Sequence, residues 1–439
     1  METVIRIAQL LLSLSILVIF HELGHFGFAK LFKTRVEKFY LFFNPWFSLF
    51  KIKKGETEYG IGWIPLGGYV KISGMIDESM DKEQMKLPPQ PWEFRSKKAW
   101  QRLLIMIGGV LVNFILAVLI YIFSFFTWGE TYLPTQNMTY GVMVDSLWQD
   151  LGFENGDKIL KVNGKDADNF RDAYLEAILT EPNTITVDRE GIPLDIKLNP
   201  EDISKILKNE AFMTPRIPFV ISAFAEESVA EKAGFKVGDK IIGLNGYKVQ
   251  FFDEFKDSLQ NHKSDSISVT VLRNEAEEII NVVVPETGLL GIAPLGDYSQ
   301  FFEYKVKKYS LLASVPAGLK KGAEEIKSYL KQLKLLFTPK TEAYKSVGSF
   351  ISIGKIFPGT WDWQSFWSLT ALLSIMLAVV NILPIPALDG GHVMFLIYEL
   401  IVGKKPSDRF MEIAQIVGMV ILLTLMVFAL GNDFIRHVF

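Results

Sequence analysis

A chain that sets two histidines and a glutamate inside a membrane-length apolar run has few ways to fold. From Val4 to Ala29 nearly every residue is apolar, apart from Arg6, Gln9, two serines and the segment His21-Glu22-Leu23-Gly24-His25. A run of that length reads as a spanning helix. On a helix, positions i and i+4 share a face, so both imidazoles reach one metal ion, and Glu22 is placed to take a proton from a water at that metal. The plainer alternative is two helix histidines with no metal. It leaves ionisable groups in lipid with nothing to satisfy them. The run has no small-residue cleavage site and carries the metal motif, so it reads as a retained span rather than a signal peptide.

Composition narrows the chemistry. The 439 residues include no cysteine, which excludes thiolate ligands and leaves imidazole and carboxylate for any zinc site. A net charge of -3 gives no electrostatic case for a nucleic-acid partner. At 49 % hydrophobic but 22 % charged, the chain reads as a membrane protein with substantial soluble parts.

Taken in order, residues 1–34 are the first span with its motif. Residues 35–102 are basic, with Lys38, Lys51, Lys53, Lys54, Lys71, Arg95, Lys97, Lys98 and Arg102, and the positive-inside rule puts them in the cytoplasm. The amino terminus is then outside. Within this region, residues 58–72 read as two short strands around a Pro-Gly turn region, a membrane-associated β-hairpin. It either packs on the spans or dips into the membrane and offers a strand edge to an extended peptide. Residues 103–128 are the second span. Gly108 and Gly109 allow close helix approach, and Asn113 in lipid needs a partner, either a neighbouring helix or the active site.

From about residue 130 to 310 the apolar residues fall into short runs with an internal repeat. Gly152-Phe-Glu-Asn-Gly156-Asp157-Lys-Ile-Leu-Lys-Val-Asn163-Gly164 recurs at an offset of 82 as Gly234-Phe-Lys-Val-Gly238-Asp239-Lys-Ile-Ile-Gly-Leu-Asn245-Gly246. Each copy gives a turn, a strand and an Asn-Gly hairpin signal. The pattern resembles the bacterial PDZ domain. The second copy also has Val229-Ala-Glu-Lys-Ala233 ahead of it, whereas the first has Leu151 where Ala is usual. The expected domains are 129–215 and 216–298, outside the cytoplasm by the parity of spans. Residues 299–362 hold an amphipathic helix, on the membrane surface or under the second copy and ended by Pro339, and a connector. Residues 363–402 are the third span, broken at Asn381-Ile-Leu-Pro384-Ile-Pro386-Ala-Leu-Asp389-Gly390-Gly391-His392. Residues 403–439 are a cytoplasmic loop and the fourth span, which leaves the carboxyl terminus outside. The fold class expected is a multi-span α-helical membrane protein with four spans and two PDZ-like α+β domains inserted between the second and third.

The two halves meet in depth. His21 lies at most about 14 Å along a helix from Lys30, and Asp389 at most about 22 Å from Lys404. Both therefore sit in the membrane toward the cytoplasmic side. A catalytic zinc takes three protein ligands and a water, which His21, His25 and Asp389 would supply, with Glu22 as base. His392 suits a supporting or structural role better than a fourth ligand.

H-E-x-x-H in the first span together with N-x-x-P-x-P-x-L-D-G-G in the third resembles the site-2 protease family of intramembrane zinc metalloproteases. Four spans with tandem PDZ domains resemble its bacterial type, the regulator-of-sigma-E proteases of the inner membrane. The resemblance implies zinc on His21, His25 and Asp389 and water activation by Glu22. It implies substrate contacts at Asn381 and Pro384, and at Asn113 within Gly109-x-x-x-Asn113. It implies a clamp at 58–72, with Gly67, Gly68 and Tyr69, that takes substrate as an added strand. Val347-Gly-Ser-Phe-Ile-Ser-Ile353 is similar to the family's G-P-I-S-I segment with Ser349 in place of Pro. The expected function is cleavage within single-pass membrane proteins such as anti-sigma factors, or of remnant signal peptides, by a monomer in the lipid bilayer, with the PDZ pair as a size filter. The alternatives are a metallopeptidase for soluble peptides, a non-catalytic PDZ scaffold and a metal transporter.

Overall fold

The computed structural model describes residues 1–75, 87–180, 183–209, 211–296, 298–336, 338 and 348–438. The chain divides into two compact units. The first is Met1–Gly129 with Lys308–Lys334 and Tyr344–Phe439, and the second is Glu130–Lys307 with Leu335–Ala343. Among the described residues four helices are long and apolar enough to cross a membrane, and they fall where the sequence predicts them.

The first unit opens with helix α1 (Glu2–Leu31). Strands β1 (Val36–Phe43), β2 (Phe50–Lys54), β3 (Thr57–Ile61) and β4 (Ile64–Ile72) follow, in one sheet of order β2-β3-β1-β4. This corrects the expected hairpin over 58–72. β3 and β4 do not pair with each other, because β1 lies between them, parallel to β3 and antiparallel to β4. The reason is local. The connector between β3 and β4 is bonded to the end of β1, with Gly62 N–H donating to Leu41 O at 2.8 Å and Trp63 N–H to Phe43 O at 3.1 Å. Tyr40 of β1 is buried, with its ring stacked 5.4 Å from that of Tyr69 and its hydroxyl on Glu58 at 2.7 Å. Gly60 leaves room for that ring, which a methyl group there would strike. Among the described residues β4 is the terminal strand of this sheet.

The second span is α2 (Ala99–Thr127), packed tightly on α1. A methyl group on Gly24 would collide with the Gly108 carbonyl, so glycine on both helices sets the close approach.

The second unit begins with β5 (Glu130–Tyr132) and holds the two repeat copies. The first copy runs β6 (Val142–Val144), α3 (Ser146–Asp150), β7 (Lys158–Val162), β8 (Lys165–Asp166), α4 (Phe170–Leu179), β9 (Asn183–Arg189), β10 (Ile192–Leu198), α5 (Pro200–Lys208) and β11 (Met213–Pro215). The second runs β12 (Ile221–Phe224), α6 (Val229–Ala233), β13 (Lys240–Leu244), β14 (Tyr247–Lys248), α7 (Phe252–Gln260), β15 (Ser266–Arg273), β16 (Ala276–Val283) and β17 (Ile292–Pro294). The four-stranded sheets have matching orders, β10-β9-β7-β8 and β14-β13-β15-β16. Helix α5, started by Asn199 and Pro200, has no counterpart among the described residues of the second copy.

The repeated residues recur in their contacts. Asp157 is gripped by Arg189 and Asp239 by Arg273, at 2.8 and 2.7 Å, and each arginine also donates to the carbonyl of the repeat's first glycine, Gly152 or Gly234. The copies are tied to each other by Arg216. Its backbone N–H bonds Gly141 O at 2.9 Å, its guanidinium reaches Asp253 at 2.5 Å, and it lies 3.9 Å over the Phe251 ring. Tyr140 packs edge-on to the same ring at 5.3 Å. The unit closes with β18 (Lys305–Lys307), which pairs antiparallel to β5 so that chain entry and exit lie side by side.

The chain then returns to the first unit through α8 (Leu311–Leu336). This helix was expected on the membrane surface or under the second copy. It lies against α2, where Gly318 and Gly322 admit Ile122 and Val118, and its Ile326, Tyr329 and Leu333 join the Leu17–Leu116–Tyr121 core. Pro339 and Val347 lie outside the described residues. α9 (Phe350–Ile356) is capped by Ser349, and α10 (Trp363–Ile382), α11 (Asp389–Val402) and α12 (Asp408–Val438) complete the unit. The break between α10 and α11 is held by glycine: methyl groups on Gly390, Gly391 or Gly418 would strike the backbone of residues 382–386.

Candidate metal centre

Three elements bring the expected ligands together. α1 carries His21 and His25 one turn apart, and the prolines that stop α10 let α11 restart at Asp389. His21 Nε2 and His25 Nε2 are 3.2 Å apart, and Asp389 Oδ2 is 3.2 and 3.3 Å from them. Ligands on a tetrahedral zinc with bonds of about 2.0–2.1 Å stand about 3.3–3.4 Å from one another, so the triangle fits that ion. Both histidines are buried, and Asp389 Oδ2 is a buried oxygen without a hydrogen bond, the kind of atom a cation satisfies. A methyl group on Gly109 would collide with His25 Nε2 and the His21 ring, so the bare backbone of α2 forms part of the cradle.

The far ring nitrogens are also held. His25 Nδ1 lies 2.8 Å from Ile105 O, so it is the protonated one and donates there, which leaves Nε2 free for the metal. His21 Nδ1 faces the Asn113 carboxamide, whose nitrogen stands 3.3 Å away while its Oδ1 is buried without a partner. Turned about, that carboxamide accepts the Nδ1–H of His21 and both needs are met. Ser374 holds the Asn113 carbonyl at 2.7 Å from α10. Asn381 Nδ2 comes within 3.4 Å of His21 Nε2.

A cavity of about 410 Å³ opens beside the cluster, lined by His21, Glu22, His25, Asp389, His392 and β4 from Gly68 to Ile72. Of the expected substrate contacts, Gly68 and Tyr69 line this cavity. Asn113 and Asn381 touch His21 instead. Gly67 packs on Phe43, and Pro384 is exposed at the break, away from the cavity wall. Gln415, a buried residue of α12 that the sequence did not single out, lines the same cavity. Its one signal was a carboxamide in an otherwise apolar span.

The arrangement can hold a metal, place a carboxylate beside it and admit an extended chain. The sequence profile of peptidase family M50 matches residues 9–425. The chain is similar to the Regulator of sigma E protease of Haemophilus influenzae, 30 % identical over 467 residues with 98 % of each chain covered. It is similar to the Regulator of sigma-E protease RseP of Escherichia coli, 29 % identical over 461 residues with 98 % of each covered. A candidate zinc metalloprotease of Vibrio cholerae is 29 % identical over 455 residues, with 97 % of each covered.

Proposed function

The chain belongs to peptidase family M50, and from that premise we propose that this metalloprotease is an intramembrane zinc endoprotease cutting single-pass transmembrane segments. The observation that carries the reading is the convergence of His21, His25 and Asp389 inside an apolar helix bundle, with Glu22 in the same cavity. A zinc ion held by these three side chains supplies Lewis acidity to the scissile carbonyl and to water. Glu22 takes the proton of the attacking water and returns it to the leaving amine. Ile105 and Asn113 keep the two imidazoles in the tautomer and orientation that binding requires. A helical substrate hides its carbonyls in hydrogen bonds to the residue four ahead, so it must be drawn out before attack. The position of β4, terminal in its sheet among the described residues and lining the cavity with Glu22, supports strand addition as the means.

The repeat copies are read as PDZ-like domains on the extracytoplasmic side of a bacterial inner membrane, with both termini on that side. Span parity and the basic residues between the first two spans support this orientation. In the second copy a groove of about 390 Å³ runs between α7 and β17, lined by Phe252, Phe255, Leu259 and Ile292. In the first, Phe212 stands where the second has Gly291, and its N–H is taken by Asp145 at 3.0 Å. This difference supports a passive role for the first copy. The pair is proposed to screen substrates by the size of their external part. The relatives named for regulating sigma E support membrane-bound anti-sigma factors as the substrate class.

Glu22→Gln tests the reading. With a tagged single-pass substrate lacking its external domain, cleavage should fall about 100-fold or more while zinc content stays at the wild-type level. Unchanged cleavage would remove Glu22 as the base and the proposal with it.

A further inference from the structure

Between Ile413 and Gly431 α12 is apolar except at Gln415 and Thr424, and these two behave differently. Thr424 returns its hydroxyl to Val420 O at 2.8 Å, within its own helix. Gln415 does not. It is 9 % exposed, and its carboxamide has no hydrogen-bond partner among the described residues. A carboxamide that served only to glue helices would bond a neighbouring helix. This one faces the cavity that holds His21, Glu22 and Asp389.

Its aim is set by the packing of α12. Gly418, one turn further on the same face, lies bare against the Pro386 carbonyl, where a side chain would collide. That seat docks α12 on the broken segment and turns Gln415 inward. β4, the terminal strand of its sheet, lines the same cavity from Gly68 to Ile72.

A peptide added to β4 spends half of its backbone N–H and C=O groups on that strand. The other half point away from it, toward the rest of the cavity lining. In water they would be solvated; in a site within the bilayer each would be an orphan. A carboxamide carries a donor and an acceptor side by side, as a peptide unit does, and answers both without adding charge near the metal ligands. We propose that Gln415 is a substrate-binding residue, whose carboxamide hydrogen-bonds the outward-facing peptide unit of the strand held on β4. The inference deepens the proteolytic reading and rests on it.

The test uses the full-length zinc-loaded protein in detergent and two hydroxamate probes. One is a hydroxamate on an extended tripeptide; the other is acetohydroxamate, which grips zinc but offers no peptide backbone. Gln415→Met keeps the shape of the side chain and removes its hydrogen bonds, and Gln415→Ala guards against a misfit of the longer chain. Both variants should bind the tripeptide probe about tenfold more weakly, with acetohydroxamate binding and zinc content unchanged. KM for a transmembrane substrate should rise by a similar factor. Wild-type affinity of both variants for the tripeptide probe would overturn the inference, and so would an equal loss for the two probes, which marks a distorted site. A wild-type protein that holds zinc yet binds neither probe would sink the proteolytic reading itself, a distinct result.

Discussion

At the scale of single residues the metal centre depends on what is missing as much as on what is present. Gly109 has no side chain, and its bare backbone is what leaves His21 and His25 room to converge. Gly109→Ala should therefore abolish zinc binding, read by metal analysis of the purified protein, while helix content by circular dichroism stays near wild type. Zinc at the wild-type level in that variant would mean the cradle is not closed by α2. Asn113→Ala removes the partner of His21 Nδ1 and should weaken zinc binding about 10- to 100-fold, measured by chelator competition. The four candidate metal and base residues stand out in sequence by spacing, i and i+4 on a helix and an acid after a proline break, and the structure brings the three candidate ligands together with Glu22 in their cavity. Asn113 left two readings open in sequence, helix glue or site contact, and in the structure it touches both His21 and the α10 side chain Ser374. Gln415 was not legible, since one amide in an apolar run has no pattern. Its meaning comes from Gly418 and the Pro386 carbonyl beside it.

At the scale of elements the spans were readable and the sheet was not. A span announces itself by length and hydropathy, and all four stand within a few residues of expectation. The order β2-β3-β1-β4 depends on a parallel pairing between β1 and β3, which no turn signal marks. Gly62 to Pro65 resembles a hairpin turn, yet its amides go to β1. The repeat was legible through its Gly and Asp residues, but the arginines were missed. Arg189 and Arg273 are displaced by 84 residues rather than 82, because the second copy is two residues longer ahead of the strand. Burial alone would raise the Asp239 carboxyl, but Arg273 and the Lys236 amide outweigh it and hold the group below the usual carboxylate range. A depressed folded value stabilises the second copy at pH above the unfolded value of about 3.9, and that stability is lost as pH falls below it. Hydrogen exchange over residues 234–244 should accelerate below about pH 4 in wild type. Arg273→Ala should already exchange fast at pH 7, with a loss of about 3 kcal/mol in local stability. A variant as protected as wild type at pH 7 would show that the pair does not hold the copy.

At the scale of the whole chain, the unit with the four candidate spans holds the candidate metal centre, and the proposed size filter belongs to the other unit. Because β5 and β18 pair side by side, the insert enters and leaves at adjacent points and a short linker can replace it. If the insert screens by size as proposed, a protein with residues 133–304 replaced in this way should cut a transmembrane substrate that keeps its bulky external domain, and the complete chain should not. Equal refusal by both would argue that the insert does not screen by size. Arg216 adds a mechanical consequence. With its amide on Gly141, its guanidinium on Asp253 and its plane on Phe251, the joint between the copies has no free swivel. The insert then moves as one body rather than as two beads on a string, and a ligand seated in the groove of the second copy is felt in the first.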